Sequence, residues 1–375
     1  MTPGPARAKC IAPTGAKRTR FGEAPAYEEG LYDLGHGVYA WMVPNGSWGE
    51  ANAGLVTGKG QSVLIETLWD VSKTRTMLQA MTPLCSDAPI ASVINTHGDG
   101  DHFFGNELVA DCEIITSAAA ARQMAHHNPA TMLLLARLGR VLGALPFRSA
   151  QETGHWFEGM CAPYDFAGVT PTPANRTFEG NLEIGCGGRT LRLIEVGPAH
   201  TAGDLMVHVP DAGVLFTGDI LFVGCTPVMW AGPLSNWLKA LDLIERLEPD
   251  IVVPGHGPLT DRSGAALVRG YWTFLADAAR TRFDKGLGAD AAARDIAQSA
   301  QFEALGFMDW DSPERVVMNC HMLYREFRST TGALSTAQIL KIMRSQALLA
   351  HALPGSRPAA MRLQATATRK PSPRK

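Results

Sequence analysis

The sequence lacks the features that mark membrane-spanning, secreted and nucleic-acid-binding proteins. No run approaches the roughly 20 apolar residues that a membrane-spanning helix needs, and residues 1–20 contain no apolar core of a signal peptide. The formal net charge is only −2, so no excess of positive charge is available for a phosphate backbone or an anionic membrane surface. We therefore expect neither a nucleic acid nor a membrane as a partner.

Cysteine is sparse and its spacing shows no pattern. The seven cysteines are odd in number and form no Cys-x-x-Cys pair. They stand at positions 10, 85, 112, 161, 186, 225 and 320. This distribution indicates neither a disulfide framework nor a sulfur-ligated zinc site. It favours a chain that works in a reducing cytoplasm.

The remaining composition is that of a globular protein. With 375 residues, of which 46% are hydrophobic, the chain can bury one large core and an additional helical part. Residues 1–30 are predicted to be a flexible leader, and helical patterns dominate residues 263–353. The tail, residues 354–375, is rich in Pro, Ala, Arg and Lys without an acidic residue, which predicts disorder.

Short β-type runs begin near Gly37 and are separated by Gly and Asn, as hairpin connections require. A helix fits residues 72–81, and the apolar run at 90–94 is typical of a buried strand that leads to His97. This alternation of strands and helices after an antiparallel start predicts a layered α/β architecture.

Residues 117–178 form an insertion of different character. Their first half predicts one or two apolar helices broken at Pro129, and their second half is irregular and aromatic. Such an insertion is compatible with a cap over an active site and equally with a helix packed on a sheet edge. Several aromatic residues suggest an apolar pocket wall. They are Trp156, Phe157, Tyr164 and Phe166, together with Trp230.

Metal-ligand residue types recur where strands run into loops. The densest segment is Asn-Thr-His-Gly-Asp-Gly-Asp-His at residues 95–102, and three later segments each contribute one more. The candidates are His97, Asp99, Asp101, His102, His200, Asp219 and His256. Imidazole and carboxylate are common ligands of zinc and its first-row neighbours. Seven of them in strand-end loops predict a metal site with room for two ions.

The order and spacing of these segments resemble the metallo-β-lactamase superfamily, whose first motif is usually His-x-His-x-Asp-His. The resemblance covers roughly residues 31–262, and Asp99 stands where that family has its second histidine. It implies an α/β fold, a four-layer αββα sandwich with two β-sheets between helices. It also implies a binuclear centre that serves metal-dependent hydrolysis.

The resemblance further implies a role for each ligand. One metal ion would take His97, Asp99 and His200. The second would take Asp101, His102 and His256, with Asp219 bridging the two. Ions about 3.5–4 Å apart can hold a hydroxide as the nucleophile. Asp101 is the candidate for steering that hydroxide and passing a proton to the leaving group.

Asp99 changes the expected chemistry. A third carboxylate beside Asp101 and Asp219 adds negative charge, which weakens the Lewis acidity of each ion. Oxygen ligands also shift preference from zinc towards iron or manganese. Alternatively, the short Asp99 side chain does not reach, and only the second site is filled. We expect two divalent ions, zinc first, with iron or manganese as alternatives.

Other polar residues receive less specific predictions. Glu66 is expected to support a histidine rather than to coordinate a metal. His126 and His127 are expected to face solvent. His208 and His321 match no ligand motif, so we expect each to be solvent-facing or satisfied by ordinary hydrogen bonds.

The function expected from these features is hydrolysis of an ester, lactone, amide or related bond in a small, mostly apolar molecule. Two alternatives from other classes stay open, because a fold does not fix a function. One is a di-iron oxygenase or oxidoreductase, which the oxygen-rich site favours. The other is a non-catalytic binding protein in which Asp99 has disabled one site. The C-terminal helices are compatible with packing on the core or on a second copy of the chain.

Overall fold

Two β-sheets lie at the centre of the fold in the computed structural model, which describes residues 8–353. The first sheet has eight strands in chain order: β1 (Lys9–Pro13), β2 (Gly30–Asp33), β3 (Val38–Met42), β4 (Ala53–Thr57), β5 (Ser62–Ile65), β6 (Ile90–Ile94), β7 (Glu113–Ser117) and β8 (Arg176–Phe178). The second has five, in spatial order β13 (Ile251–Val253), β12 (Val214–Phe216), β11 (Leu205–Val209), β10 (Arg189–Glu195) and β9 (Asn181–Cys186). The first sheet is antiparallel from β1 to β5 and parallel from β5 to β8. In the second, the β12–β13 pair is parallel.

Helices surround the sheets and continue beyond them. They are α1 (Val71–Cys85), α2 (Gly100–Phe103), α3 (Ala118–Met124), α4 (Pro129–Gly143), α5 (Arg148–Cys161), α6 (Leu234–Leu247), α7 (Arg262–Asp284), α8 (Ala289–Ala297), α9 (Ala300–Ala304), α10 (Val316–Phe327) and α11 (Thr336–Ala352). Within residues 8–353, none of these helices is long and apolar enough to cross a membrane. All seven cysteines are free.

The central strands of each sheet pack against the other sheet on one face and against helices on the other, which produces four layers. Successive strand residues point to opposite faces. Val56 accordingly faces the core between the two sheets, while Leu55 packs with Met77 of α1 on the outer side. In the second sheet, Leu215 packs on the outer side in the core that α6 and α7 share. The structure therefore confirms the predicted αββα sandwich.

The N-terminal segment differs from the predicted flexible leader over residues 1–30. Strand β1 pairs antiparallel with β2, and the Arg20 side chain is buried beside Glu50, with 3.4 Å between Nε and Oε1. The Arg20 guanidinium also lies over the ring of Tyr164, 4.8 Å from its centroid. Backbone pairing and a buried charge bind this segment to the fold, although it contains few apolar residues. The predicted disordered tail, residues 354–375, lies outside the described residues.

The insertion contains three helices where one or two were predicted. Pro129 begins α4, as the predicted break implies, and Asn128 caps that helix by accepting a hydrogen bond from the Ala130 N–H. Helices α4 and α5 pack closely against each other as a hairpin. This close approach requires glycine at position 154, since a Cβ there would lie 2.3 Å from the Gly143 nitrogen.

The C-terminal region is helical, as predicted, and packs on the core of its own chain. Helices α7, α8 and α10 share one apolar cluster with residues of the second sheet. Ser335 and Gln338 form a capping box at the start of α11. A 3-10 turn (Pro313–Arg315) precedes α10.

The buried Arg20–Glu50 pair yields a test of the N-terminal segment. Replacing Arg20 by Met leaves the Glu50 carboxylate buried without its cation, so we expect the free energy of unfolding to fall by about 3 kcal/mol. Denaturant unfolding of Arg20→Met and wild type measures this difference. Arg192→Met is the matched control, because its 3.0 Å ion pair with Glu183 is exposed and contributes less than about 1 kcal/mol. Equal, small effects in both variants would show that the Arg20–Glu50 pair does not stabilise the fold.

Candidate metal centre

The seven predicted ligands lie together at one edge of the two sheets. Strand β6 ends three residues before His97, and the short helix α2 follows at once. Because β12 and β13 are parallel and adjacent, the loops that follow them place Asp219 and His256 side by side. The turn after β10 brings in His200. Loops from both sheets therefore meet around one point.

Asp219 occupies the middle of the cluster. Its Oδ1 lies 3.2 Å from His102 Nε2, and its Oδ2 lies 3.3 Å from both His200 Nε2 and His256 Nε2. His97 Nε2 is 3.8 Å from Oδ2. Asp219 lies within a 3-10 turn, and its Oδ1 has no hydrogen-bond partner within residues 8–353. The geometry is that of a carboxylate shared between two groups of histidines.

Two further sets of ligand atoms flank Asp219. One set consists of His97, Asp99 and His200, the other of Asp101, His102 and His256, and the ligand atoms of each set lie within 4.8 Å of one another. Each set combines two imidazoles with one carboxylate. They are the two sets of three that the family resemblance implies, with Asp219 as the seventh residue between them.

The Asp99 carboxylate is long enough to reach the first set. Its Oδ2 lies 3.2 Å from His200 Nε2 and 4.0 Å from His97 Nε2. Burial alone would raise the pKa of Asp99, but its hydrogen bond to His200 holds that pKa well below the usual value. Asp99 is thus an ionised group that points at the same place as the two histidines.

The outer ring nitrogen of each histidine has a contact of its own. The contacts are His97 Nδ1 to Thr96 Oγ1 at 2.9 Å, His102 Nδ1 to Glu66 Oε1 at 3.4 Å, His200 Nδ1 to the Val228 carbonyl at 2.7 Å and His256 Nδ1 to the Glu50 carbonyl at 3.2 Å. A carbonyl only accepts, so Nδ1 carries a proton in both His200 and His256. Nε2 is then the ring nitrogen through which each would bind a metal ion, which would take the place of the proton that His200 Nε2 donates to Asp99 Oδ2. Glu66 lies on the outer side of His102, the supporting position that was predicted for it.

Two glycines are required by close approach. A Cβ on Gly255 would lie 2.0 Å from Asp219 Oδ1, so only glycine lets the loop of His256 come this near. A Cβ on Gly98 would lie 2.8 Å from the Cβ of Gln123. Neither glycine has a positive φ. At Gly98 the structural reason for glycine is therefore contact with helix α3 rather than freedom to bend.

Carboxylates and imidazoles set the electrostatic balance of this buried region. Burial opposes charge on Asp219, but His256 and His102 outweigh it and hold the pKa of the carboxyl well below its usual value. Burial likewise lowers the pKa of His102, yet Asp219 and Asp101 raise it well above its usual value. The negative charge is thus retained, and protons on imidazole balance it. A divalent cation would replace those protons.

The unpaired atoms of the cluster fit a metal ion. His97 Nε2, His102 Nε2 and Asp219 Oδ1 are buried and have no hydrogen-bond partner within residues 8–353. Buried polar atoms normally have partners, and each exception asks for an explanation. Nitrogen and carboxylate donors that converge without hydrogen bonds are explained by a divalent cation between them. The cluster is therefore able to bind metal ions.

Gln123 is a supporting residue that the sequence prediction missed. It lies on α3 and donates a hydrogen bond of 2.7 Å from Nε2 to Asp99 Oδ1. This bond occupies one oxygen of Asp99 and leaves Oδ2 directed at His200. No motif marked Gln123, because its position depends on how α3 packs against the turn at Gly98.

The prediction that His126 and His127 face solvent is wrong for His127. His126 is exposed, but His127 is half-buried, donates from Nδ1 to the Gly98 carbonyl at 2.7 Å and lines the cavity described below. The short α3 ends at Met124, which turns the chain back over the ligand loop.

Asp204 is a second missed supporting residue. It is buried and accepts hydrogen bonds from the Ala199 and Thr201 N–H groups and from the Thr201 hydroxyl. Burial raises the pKa of Asp204 to about 6. The side chain closes the turn that carries His200. The prediction for His208 is wrong, because this residue is buried on β11 and its Nδ1 has no hydrogen-bond partner within residues 8–353. His321 is satisfied by its contact with Asp290 at 2.8 Å, as expected.

A cavity of about 320 Å³ opens onto Asp99, Asp101 and Asp219. Apolar side chains from several parts of the chain form its wall. They include Trp48, Trp69, Phe104, Met132, Met160, Trp230, Ile339 and Met343. An apolar wall over a polar floor is the usual composition of a small-molecule site.

Of the five aromatic residues proposed for the pocket wall, only Trp230 lines the cavity. The other four, Trp156, Phe157, Tyr164 and Phe166, are buried in the apolar cluster behind it. Trp156 packs edge-on against Trp48, and Tyr164 and Phe166 pack against Trp69. They support the wall from behind because they lie on the core side of the insertion.

A family model described as the metallo-β-lactamase superfamily matches residues 46–256, which include all seven ligand candidates. This match covers more than half of the chain.

The chain belongs to the metallo-β-lactamase superfamily.

Curated relatives agree with this assignment. The alpha subunit of 2,4-dinitroanisole O-demethylase from Nocardioides sp. is 24% identical over 208 residues, which is 54% of this chain and 51% of the relative. The chain thus spans about half the length of that relative. A probable metallo-hydrolase of Bacillus subtilis is 33% identical over 98 residues, 25% of this chain and 46% of the relative. Hydroxyacylglutathione hydrolase of Brucella ovis is 34% identical over 82 residues, 22% of this chain and 29% of the relative.

Solved structures show the same fold. A sec-alkylsulfatase from Pseudomonas sp. superposes with a TM-score of 0.57 at 18% identity, covering 80% of this chain and 50% of that one. A metallo-β-lactamase family protein from Thermus thermophilus gives a TM-score of 0.54 at 19% identity, covering 80% and 96%. The superfamily includes metal-dependent hydrolases.

The central position of Asp219 predicts that both metal sites depend on it. In Asp219→Ala we expect metal content to fall towards none, because each ligand set loses its shared carboxylate. Plasma mass spectrometry on protein purified without a metal-binding tag measures the ions per chain. Asp290→Ala is the control, since that aspartate pairs with His321 away from the cluster. Normal metal content in Asp219→Ala would remove the bridging role.

The Gln123–Asp99 hydrogen bond predicts a selective effect on one site. In Gln123→Leu, Asp99 loses the bond that orients it, so we expect one of two ions to bind roughly tenfold more weakly. Competition with a chromogenic chelator resolves the two dissociation constants. Gln301→Leu, at an exposed position on α9, is the control. Equal weakening of both ions would indicate a general disturbance rather than orientation of Asp99.

Proposed function

We propose that the protein is a metal-dependent hydrolase that cleaves an ester, lactone, amide or related bond in a small, mostly apolar molecule. The observation that carries this proposal is the position of the ligand cluster. Two ligand sets joined at Asp219 form the floor of an apolar cavity. The names of two relatives, a hydroxyacylglutathione hydrolase and a probable metallo-hydrolase, support hydrolysis as the reaction class.

The seven ligands would hold two divalent ions. When bound, such ions supply Lewis acidity that polarises a carbonyl oxygen and lowers the pKa of a water molecule towards neutrality. Zinc is the first candidate because four imidazoles are present, and iron or manganese are alternatives because three carboxylates accompany them.

Asp101 is the group we assign to proton transfer. Its carboxylate lies on the cavity floor, with Oδ2 3.5 Å from His256 Nε2 and 3.9 Å from His102 Nε2. In the proposed reaction, a water oxygen bonds to the carbonyl carbon, and the bond from that carbon to the leaving oxygen or nitrogen breaks. Asp101 accepts the proton that the water loses and passes it to the leaving atom.

The cavity wall limits the substrate. A volume of about 320 Å³ lies at the lower end of the range for small-molecule sites. Apolar side chains such as Trp48, Trp69 and Met160 would exclude water around the reacting bond, which strengthens electrostatic interactions there. Polymeric substrates fit neither the size nor the apolar character of this wall.

We also propose that the insertion, residues 117–178, acts as a cap over the site. Met132 of α4 and Met160 of α5 line the cavity, and Gln123 and His127 contact the ligand turn. The C-terminal region takes part as well, since Ile339 and Met343 of α11 close another side. We therefore propose a core at residues 31–262 and a helical region at residues 263–353, both of which contribute side chains to one cavity.

A second candidate function is oxygen-dependent chemistry at a di-iron centre. The three carboxylates Asp99, Asp101 and Asp219 favour it, because oxygen ligands suit iron better than zinc. Metal analysis of the purified protein discriminates between the two. Two zinc or manganese ions per chain would support hydrolysis, whereas iron with a visible absorption band would support the alternative.

Substitution of Asp101 tests the proposed reaction. With a panel of 4-nitrophenyl esters and aryl lactones, we expect Asp101→Asn to lower kcat at least about 100-fold, because the proton acceptor is lost. Asp111→Asn, at an exposed position, is the control and should retain full activity. Removal of metal by a chelator should abolish turnover, and added zinc or manganese should restore it. Near-wild-type activity in Asp101→Asn would exclude its proposed role.

A further inference from the structure

Arg20 and Arg315 both have largely buried side chains, but their surroundings differ. Arg20 lies 3.4 Å from the Glu50 carboxylate, an ordinary buried ion pair. Arg315 is only 2% exposed, and its Nε has no hydrogen-bond partner within residues 8–353. Burying a guanidinium whose N–H donors are not all satisfied is costly, so Arg315 calls for an explanation.

Arg315 lies on the wall of the cavity, close to the metal ligands. Its guanidinium carbon is 4.2 Å from the ring centroid of Trp48 and 5.7 Å from that of Phe222, and all three residues line the cavity. Phe222 is in turn stacked on the imidazole of His256, with 5.0 Å between centroids and 3° between planes. One aromatic ring therefore separates the guanidinium from a proposed metal ligand.

The protein satisfies Arg315 only in part. Nη1 donates a hydrogen bond of 2.8 Å to the Thr226 carbonyl, while Nε is buried and has no partner in the described part of the chain. The charge of Arg315 lowers the pKa of the neighbouring Glu314 carboxyl, but burial outweighs this effect. Glu314 accepts a hydrogen bond from Trp156 Nε1 at 3.2 Å, and burial raises the pKa of its carboxyl to about 7. The aromatic faces fix the position of the guanidinium but supply no full negative charge.

We propose that Arg315 binds an anionic group of the substrate, so that the preferred substrates are small apolar molecules carrying a carboxylate or a similar monoanionic oxygen group. This rests on the proposed function, because it names the substrate class of the same cavity. The anion lies at Arg315, the apolar body fills the space along Trp48 and Met160, and the scissile bond lies over Asp219. A guanidinium with free N–H donors matches the planar geometry of a carboxylate.

A matched pair of esters tests this assignment. The anionic substrate is mono-(4-nitrophenyl) glutarate, and the neutral one is 4-nitrophenyl pentanoate, of similar length. In Arg315→Met, we expect KM for the anionic ester to rise about 10- to 100-fold, because a charge-assisted hydrogen bond is lost. Values for the neutral ester should stay within about twofold of wild type, since the aliphatic side chain retains the packing. Equal losses on both esters would show a structural role and overturn the proposal.

Controls separate charge from folding. Arg315→Gln removes the charge but keeps a donor for the Thr226 carbonyl, so it replaces the Met variant if that variant does not fold. Arg294→Met removes an exposed arginine of the same helical region and should change neither ester. Metal content of every variant is measured as well, because Arg315 is not a proposed ligand. A preference for the anionic ester that persists in both neutral variants would also overturn the proposal.

A binding measurement keeps this inference separate from hydrolysis itself. Calorimetric titration of the purified, metal-containing protein compares 4-phenylbutyrate with its neutral amide, 4-phenylbutyramide. We expect wild type to prefer the carboxylate and Arg315→Met to lose most of that preference, even if no ester is hydrolysed. A carboxylate preference that survives in Arg315→Met would place the anion on the metal ions, and the assignment of Arg315 would fail while hydrolysis remained possible.

Discussion

The structure depends on one electrostatic constraint, which is that Asp219 is charged and buried among four imidazoles. A carboxylate removed from water is stable only where positive charge surrounds it. Three separate loops supply these imidazoles, and contacts with neighbouring residues hold the loops in place. Gly255 leaves room for Asp219, Asp204 closes the turn of His200, and main-chain carbonyls orient the imidazoles from behind. The two sheets serve as the frame that brings these loops to a common edge.

Asp99 illustrates how a substituted ligand is accommodated. Aspartate is shorter than histidine and offers two oxygens where imidazole offers one inward nitrogen. The bond from Gln123 occupies Oδ1, so one oxygen remains for the position that an imidazole nitrogen would take. Gly98 allows α3 to approach closely enough for this bond. Asp99, the exchanged residue of the first motif, is thus oriented by Gln123 of α3, which belongs to the insertion.

The sequence carried enough information to predict the sandwich and the candidate ligands that the structure brings together, but not the cavity. The ligands sit in short motifs next to apolar strands, and the side-chain alternation of strands such as β4 follows directly from residue order. Gln123, His127 and Arg315 act through contacts between distant segments, which no local pattern encodes. The aromatics of the insertion were assigned to the wall because their identity suggests it, whereas packing placed Trp156 and Phe157 one layer behind. The N-terminal strand was missed because edge pairing by backbone atoms leaves little trace in side-chain composition.

The wall and the floor of the cavity come from different stretches of chain. Every candidate ligand lies between residues 97 and 256, within the sheet-edge loops, while much of the wall comes from α4, α5 and α11. Helix α11 follows the last ligand by about eighty residues of sequence. The residues of the cavity floor and those of its wall can therefore change independently of each other in evolution. A relative that retained the ligand cluster and changed side chains along α4, α5 and α11 would accept different small molecules without any change in that cluster.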